Sequence, residues 1–371
     1  MKNYFFLKFA ICSVLLFIYC EWFNYYVVLF QCEWPSLEYV NPTSSKKNVQ
    51  PVKFMVFTDT HLLGFRNGHW FDKLRREWQM YMTYKAALYL HAPELVFVLG
   101  DLTDEGYFCS PEEFDYHAKR FYKLFPMSKH TKVYVVAGNH DIGFHYSVTP
   151  YKNERFIKAF NASGVQLITE RGNHFLMINS MALEGDGCSF CQTVERELLK
   201  IEKLLKCYND SNVCPPNIKR EKYSKPILMQ HFPLYRHSDK ACNEPDEAPV
   251  PLKNRVFKEK WDCLSKEATY QLIKQIKPRL VLSGHTHHGC TRPLPTNDGI
   301  EITFPSFSWR NKNNPSYGLF VVSPENYAFS KCMMPVESTV INIYIVGSSA
   351  IIMWCVYKYY RHKREMKYKY V

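Results

Sequence analysis

Short apolar runs rich in β-branched residues recur along the middle of the chain, and each is followed at once by polar residues. These runs cover residues 52–58, 95–99, 132–137, 226–230 and 280–283. Their apolar character is nearly continuous, which is typical of strands buried on both faces. Stretches with helix-compatible composition lie between them, at residues 70–90, 111–125, 193–207 and 264–276. The alternation predicts a layered α/β fold.

Four further apolar runs predict strands of a second sheet, at residues 165–169, 174–179, 300–304 and 318–322. We therefore expect a β-sandwich flanked by helices. The polar strand ends described below extend from Asp59 to His287, so one catalytic unit must cover that interval. A single domain over residues 51–335 is the prediction.

An uncharged apolar segment follows this domain, at residues 340–356. Seventeen residues are enough to cross a bilayer, which needs about 17 to 25. The sequence therefore predicts a transmembrane helix over residues 340–357, and a basic cytosolic tail over residues 358–371.

A second apolar segment precedes the domain and is interrupted by Glu21 and Asn24. A cleaved signal peptide is the alternative, but residues 17–20 lack the small side chains of a cleavage site. We expect a transmembrane anchor at residues 9–30, between a cytosolic N-terminus (1–8) and a polar linker (31–50).

The net charge of +12 is concentrated at the end of the chain. Six of the last fourteen residues are basic: Lys358, Arg361, Lys363, Arg364, Lys367 and Lys369. With Glu365 they hold nearly half of the charge excess, and the rest is spread over a mixed surface, which argues against a nucleic-acid partner. Basic residues flank membrane helices on the cytosolic side, so both ends are expected there and the domain in the lumen or outside the cell.

Cysteine usage agrees with an oxidising compartment. Nine cysteines fall in the predicted domain: Cys109, Cys188, Cys191, Cys207, Cys214, Cys242, Cys263, Cys290 and Cys332. Their pairing cannot be deduced from sequence, and several could be buried free thiols. Two sequons, beginning at Asn161 and Asn209, permit glycosylation.

Residues that bind metals follow five of the predicted strands: Asp59 and His61, Asp101, Asn139 and His140, His231, and His285 and His287. In layered α/β folds ligands bind beyond the carboxyl ends of the strands. Alone, Asp59 and His61 would ordinarily be a loop carboxylate with a hydrogen-bonded histidine, and His231 a core histidine. The string at residues 138–141 is far more specific. Five such motifs at five strand ends predict a metal site instead.

The residue types within these motifs suggest separate roles. Asp101 has two oxygens with which to bridge two cations, and Asn139 offers a neutral oxygen ligand. The adjacent His140 is free to act on a substrate. Asp104, one turn beyond Asp101, is expected either to support a ligand or to cap a helix.

Together the five motifs resemble the signature blocks of the calcineurin-like metallophosphoesterase superfamily. The resemblance implies two divalent metal ions, with manganese preferred. One would be held by Asp59, His61, Asp101 and His287, and the other by Asp101, Asn139, His231 and His285. It also implies in-line attack of water on phosphorus, with His140 as the catalytic proton donor to the leaving oxygen.

Longer strings, at residues 71–80 and 100–106, and the two anchors resemble the branch of that superfamily that remodels glycosylphosphatidylinositol (GPI) anchors. The branch implies a phosphodiesterase that removes ethanolamine-phosphate from the second mannose of the anchor. GPI-anchored proteins would be the substrates, and coat and cargo-receptor proteins of transport from the endoplasmic reticulum (ER) to the Golgi possible partners.

The expected location is ER exit sites, the ER-Golgi intermediate compartment and the cis-Golgi, and Lys367 and Lys369 resemble a dilysine retrieval signal. Two alternatives remain open. One is another lumenal phosphoesterase that acts on phospholipid head groups or phosphoproteins, and the other is a non-catalytic receptor for GPI-linked cargo.

Overall fold

The structure is a computed structural model that describes residues 2–38, 50–188, 190–216, 218 and 220–369. Most of the predicted linker, residues 39–49, lies outside the described residues. The strands are β1 Val52–Phe57, β2 Leu95–Val98, β3 Lys132–Val135, β4 Val165–Glu170, β5 Asn173–Ile178, β6 Ile227–Gln230, β7 Leu280–Ser283, β8 Cys290–Pro293, β9 Ile300–Thr303, β10 Ser316–Val322 and β11 Tyr327–Met333. The helices are α1 Lys2–Ile18, α2 Asn24–Leu29, α3 Trp70–His91, α4 Pro111–Leu124, α5 Asn139–Ile142, α6 Pro150–Phe160, α7 Cys191–Asn209, α8 Val250–Lys253, α9 Lys266–Ile276 and α10 Glu337–Lys369.

The strands form two mixed sheets. The first has the order β11-β10-β1-β2-β3, with β1, β2 and β3 parallel, and the second has the order β4-β5-β6-β7-β9-β8, with β5, β6, β7 and β9 parallel. The predicted α/β sandwich flanked by helices is confirmed.

The placement of one predicted strand was wrong. Residues 318–322 were expected in the second sheet, but β10 pairs antiparallel with β1 in the first, with Phe320 opposite Phe54. The rings of these two residues stack with centroids 4.7 Å apart. An apolar run indicates that a strand is buried but does not indicate its neighbour, because pairing depends on the path of the chain.

Alternate residues of each central strand face two different layers. In β1, Val52, Phe54 and Val56 point between the sheets, whereas Met55 and Phe57 point towards the helices. Phe54 contacts Phe175 of the opposite sheet at 5.3 Å between ring centroids. Burial on both faces explains why the strands read as continuous apolar runs.

Two helices are long and apolar enough to cross a membrane, Phe5–Leu29 and Glu337–Glu365. The first of these consists of α1 and α2, which are joined by a π-helical turn at Tyr19–Phe23. The two lie side by side and antiparallel: Phe5 stacks on Trp354 near the chain ends, and Tyr344 donates a hydrogen bond to Glu21 nearer the domain. A Cβ on Gly347 would lie 2.7 Å from Leu16, so glycine permits the close approach.

The first of these two helices also packs into the sandwich. Tyr25 and Leu29 are fully buried in the main core, and Trp34 donates a hydrogen bond to the carbonyl of His91. A disulfide joins Cys32 to Cys332 of β11, 300 residues away in sequence. The end of the first apolar helix and the residues just after it are therefore fixed to the sandwich.

Three more disulfides lie within the domain, pairing Cys188 with Cys191, Cys207 with Cys214, and Cys242 with Cys290. The described residues leave Cys109 and Cys263 as buried free thiols. The sequence left this connectivity open, and the disulfides agree with the expected oxidising compartment.

Candidate metal centre

The predicted ligands meet at one edge of the sandwich, where the carboxyl ends of β1, β2, β6 and β7 converge. Five of them have left-handed backbone conformations: Asp59, His61, Asp101, His285 and His287, with φ between 43° and 73°. Such conformations are uncommon for residues other than glycine and cost free energy. Because these costly conformations occur at five predicted ligands, we infer that they orient the ligand side chains towards a common centre.

One cluster is formed by Asp59, His61, Asp101 and His287, whose ligand atoms all lie within 4.8 Å of one another. Nε2 of His61 is 2.9 Å from Nε2 of His287 and 3.6 Å from Oδ1 of Asp59. Nε2 of His287 is 3.4 Å from the same Asp59 oxygen.

This first cluster fits a divalent cation. Oδ1 of Asp59 is fully buried and has no hydrogen-bond partner among the described residues. An unpaired buried carboxylate oxygen is costly, and a cation would satisfy it. Imidazole nitrogens and carboxylate oxygens together suit manganese, iron or zinc.

A second cluster is formed by Asp101, His231 and His285, with Asn139 beside them. Nε2 of His231 lies 3.2 Å from both Oδ2 of Asp101 and Oδ1 of Asn139, and 3.3 Å from Nδ1 of His285. The second ring nitrogen of His231 donates to the carbonyl of Leu99 at 2.7 Å. That bond fixes the tautomer that leaves Nε2 free for a metal.

Asp101 stands between the two clusters. Its Oδ2 is 3.6 Å from Nε2 of His61 in the first cluster and 3.2 Å from Nε2 of His231 in the second. Its Oδ1 accepts a hydrogen bond from the peptide nitrogen of His140 at 2.7 Å. One carboxylate therefore reaches both sites, as a bridging ligand must.

His140 lies beside the clusters with its imidazole partly exposed, at 35%. Its Nδ1 donates to the carbonyl oxygen of Asp104 at 3.1 Å, which leaves Nε2 free. The structure thus places a positioned imidazole next to both metal clusters and in contact with solvent.

Asp104 supports the first cluster and does not cap a helix. Its Oδ1 lies 3.3 Å from Nδ1 of His61 and also contacts the guanidinium of Arg310. The N-terminus of α4 is capped by Ser110 in a capping box with Glu113. Of the two roles expected for Asp104, the structure shows the support of a ligand.

Close approach of the loops requires glycine at two positions. A Cβ on Gly138 would lie 2.2 Å from Oδ1 of Asp101, and one on Gly284 would lie 2.7 Å from Oδ2 of Asp59. Asp141 joins two of the loops, because its carboxylate accepts hydrogen bonds from the peptide nitrogens of Gly138 and Thr103. Any side chain at either glycine would displace a ligand.

The charges of the clusters are strongly coupled. Burial alone would raise the pKa of Asp101, but His231 and His140 hold it well below its usual range. Burial alone would lower the pKa of His61, but Asp104 and Asp59 raise it to about 10. The buried carboxylates are therefore ionised, and a cation that binds here must displace protons from imidazole, so binding weakens in acid.

All eight predicted residues are brought together by the fold. Sequence reasoning missed Arg310, which contacts Asp104, and Trp261, whose carbonyl accepts a hydrogen bond from His285 at 2.5 Å. Neither residue follows a strand of the predicted sheet or carries a recognisable motif. Only the three-dimensional arrangement identifies them.

The fold and the paired clusters define a two-metal phosphoesterase. The family model for calcineurin-like phosphoesterases matches residues 52–289. Metallophosphoesterase 1 of Gallus gallus is 45% identical over 341 residues, covering 91% of this chain and 85% of that protein. Metallophosphoesterase 1 of Mus musculus is 44% identical over 358 residues, covering 95% and 88%.

Among solved structures, a dimetal phosphatase from Danio rerio aligns with a TM-score of 0.43 at 12% identity, covering 76% of this chain and 99% of that one. The chain belongs to the calcineurin-like phosphoesterase family, among relatives of vertebrate metallophosphoesterase 1. It is a metal-dependent phosphoester hydrolase.

Proposed function

We propose that this phosphoesterase removes ethanolamine-phosphate from the second mannose of GPI anchors as GPI-linked proteins mature and leave the ER. The observation that carries the proposal is the attachment of the catalytic domain to two helices that are long and apolar enough to cross a membrane. A site fixed near a membrane surface suits a substrate that is itself anchored in that membrane. The strings at residues 71–80 and 100–106 add the resemblance to the GPI-remodelling branch.

Metal binding would complete the site. Asp59, His61, Asp101 and His287 would hold one cation, and Asp101, Asn139, His231 and His285 the other. When bound, the pair supplies a water nucleophile near neutral pH and neutralises charge on the phosphoryl oxygens. Manganese remains the preference given by the family resemblance.

The residues of the chain then have defined tasks in hydrolysis of the diester. His140 donates a proton from its imidazole to the mannose oxygen as the phosphorus–oxygen bond to mannose breaks. Attack of water forms the new phosphorus–oxygen bond, and ethanolamine-phosphate leaves with the water oxygen. Asp104 holds both His140 and His61 in place.

The orientation of the domain is part of the proposal. Antiparallel packing of α1 and α10 puts the two chain ends on the side opposite the domain. Basic residues at both ends favour the cytosol, so the domain would face the lumen, where GPI glycans lie. GPI-linked proteins in transit would then meet the enzyme between ER exit sites and the cis-Golgi.

Glycosylation tests that orientation. Asn161 and Asn209 are both exposed, at the ends of α6 and α7. A lumenal domain is expected to carry a glycan that peptide N-glycosidase removes, and Asn161→Gln with Asn209→Gln should abolish the shift. Suppose instead that Asn161 and Asn209 carry no glycan, whereas a sequon added to the C-terminal tail is glycosylated. The orientation would then be the reverse of the one proposed.

The substrate is tested by mass analysis of GPI glycans from cells that lack this chain. We expect anchors that retain ethanolamine-phosphate on the second mannose, and correction by the wild type but not by Asp101→Ala. Correction by Asp101→Ala would favour the cargo-receptor alternative. Unchanged anchors with altered phospholipid head groups or phosphoproteins would favour a different lumenal substrate.

A further inference from the structure

Three aromatic side chains, two exposed and one partly buried, form a group beside the second metal cluster. We call Phe144, Tyr146 and Trp261 the aromatic shelf. The ring centroids of Phe144 and Trp261 lie 4.7 Å apart, and those of Tyr146 and Trp261 lie 5.9 Å apart. Phe144 and Tyr146 are nearly parallel, with 7° between their planes. None of the three side chains is a predicted metal ligand or catalytic residue.

The aromatic shelf is continuous with the metal centre. Nε2 of His285 donates to the carbonyl oxygen of Trp261 at 2.5 Å, so one shelf residue fixes the orientation of a predicted metal ligand. Phe232 stacks on the His285 ring at 3.9 Å and contacts Phe144 at 6.0 Å. A ligand that lies on the shelf would therefore lie next to the second cluster.

Both loops that carry the shelf are held in place. Tyr146 lies in the 3-10 helix His145–Ser147, which is pinned by a contact of 2.5 Å between His145 and Asp186. The turn that contains Trp261 is closed by a hydrogen bond of 2.9 Å from the peptide nitrogen of Asp262 to the carbonyl of Lys258. The rings are thus set in position before any ligand binds.

Two of the shelf rings present much of their surface to solvent. Tyr146 is 61% exposed and Trp261 is 39% exposed. Contiguous exposed aromatic surface is rare on stable proteins and marks binding sites, above all beside a catalytic centre. Burying such a ring gains free energy when a ligand covers it.

The surroundings of the shelf determine the chemistry of that ligand. The ammonium group of Lys258 lies over the Trp261 ring, 4.4 Å from its centroid. The ion pair of Arg255 and Asp262, at 2.6 Å, borders the same turn. A purely apolar ligand such as an acyl chain would leave these charges against hydrocarbon. A pyranose ring fits, because it presents C–H groups on one face and hydroxyl groups around its rim.

We propose that the aromatic shelf binds a sugar ring of the glycan that carries the scissile phosphodiester, with Tyr146 and Trp261 as the stacking residues. The inference rests on the proposed function, and it deepens that function by assigning the residues that select a glycan. The shelf would favour sugar-linked diesters over glycerol-linked diesters of the same ethanolamine-phosphate group.

The test uses the full chain in detergent, supplied with Mn²⁺, and two readouts. The first is saturation-transfer NMR with mannobiose, which contains no phosphate. The second is the ratio of kcat/KM for a mannose ethanolamine-phosphate diester to that for glycerophosphoethanolamine. Tyr146→Ala is expected to lower mannobiose affinity and the kcat/KM ratio by about tenfold, the upper range for one aromatic contact. Tyr146→Phe should retain both, because the ring is kept.

The matched control is Tyr270→Ala, since Tyr270 is 67% exposed on α9 and its ring contacts Lys274 of the same helix. It should leave both readouts unchanged. If neither Tyr146→Ala nor Trp261→Ala changes mannobiose affinity or the kcat/KM ratio, the shelf does not bind sugar. That result would leave the proposed function intact. If the wild type binds mannobiose through Tyr146 but cleaves only the glycerol diester, the proposed function is wrong. Sugar binding by the aromatic shelf would still stand.

Discussion

Oδ1 of Asp104 lies 3.3 Å from Nδ1 of His61, on the side of the imidazole opposite the metal cluster. The same ring directs Nε2 at Asp59, Asp101 and His287. A carboxylate behind a metal-binding histidine fixes the ring and makes it a stronger ligand. Asp104 is therefore placed to orient His61 for a metal and would not itself be a ligand.

Replacing Asp104 should weaken metal binding. We expect Asp104→Ala to lower metal affinity by about 10- to 100-fold, the range for residues that orient a ligand. Metal titration of activity and metal content after dialysis measure the effect. The exposed Asp115 of α4 gives a matched control, Asp115→Ala, which should bind metal as the wild type does. Equal affinity in both variants would contradict the support role.

Asp101→Ala should abolish turnover and lower the content of both metals, because one carboxylate faces both clusters. The protein should remain inserted in the membrane, since α1 and α10 do not depend on the site. Elemental analysis of the purified variant measures the metals. Full activity in the variant would refute the assignment of a bridging carboxylate.

His140→Ala should keep both metals bound and lose about 10²-fold or more in kcat, as expected when a general acid is removed. The reason is that His140 donates to the carbonyl of Asp104 and is partly exposed, and that it belongs to neither of the two clusters centred on Asp101. It does lie within reach of His61 and Asp104, so the metal content of the variant has to be measured. Metal content and kcat are measured on the same preparation. Loss of metal with activity would make His140 a ligand instead.

The disulfide between Cys32 and Cys332 should hold the first membrane helix to the domain. A protease site placed within residues 39–49 tests this directly. After cleavage, the two fragments of the wild type should migrate together on a denaturing gel without reductant and separate when reductant is added. The fragments of Cys32→Ser should separate under both conditions. Cys12→Ser, at an exposed free cysteine, is the control. Separation of the wild type without reductant would disprove the link.

His117 should limit stability in acid. Burial and nearby Arg120 lower its pKa to about 4, so the fold holds it neutral. An unfolded histidine titrates near 6.5, so protonation of the unfolded chain removes up to about 2 kcal/mol of stability by pH 5. His117→Gln should therefore lose less Tm than the wild type between pH 7.5 and pH 5. Parallel Tm curves would exclude this contribution.

The sequence by itself determined the strands, the principal helices and the residues gathered at the site. This was possible because strands buried on both faces are continuous apolar runs, and because the carboxyl ends of parallel strands share one edge. Asp59, Asp101, Asn139 and His285 each stand directly after such a run or one residue beyond it. Length and composition likewise indicated the two helices that are long and apolar enough to cross a membrane.

Only the tertiary structure decided which distant segments meet. The pairing of β10 with β1, the disulfide from Cys32 to Cys332 and the contact of Arg310 with Asp104 join residues far apart in the chain. No local pattern encodes such contacts, because they depend on the path of the whole chain and on competition among many possible neighbours. The aromatic shelf joins Tyr146 to Trp261 for the same reason, through two loops that only the folded sandwich brings together.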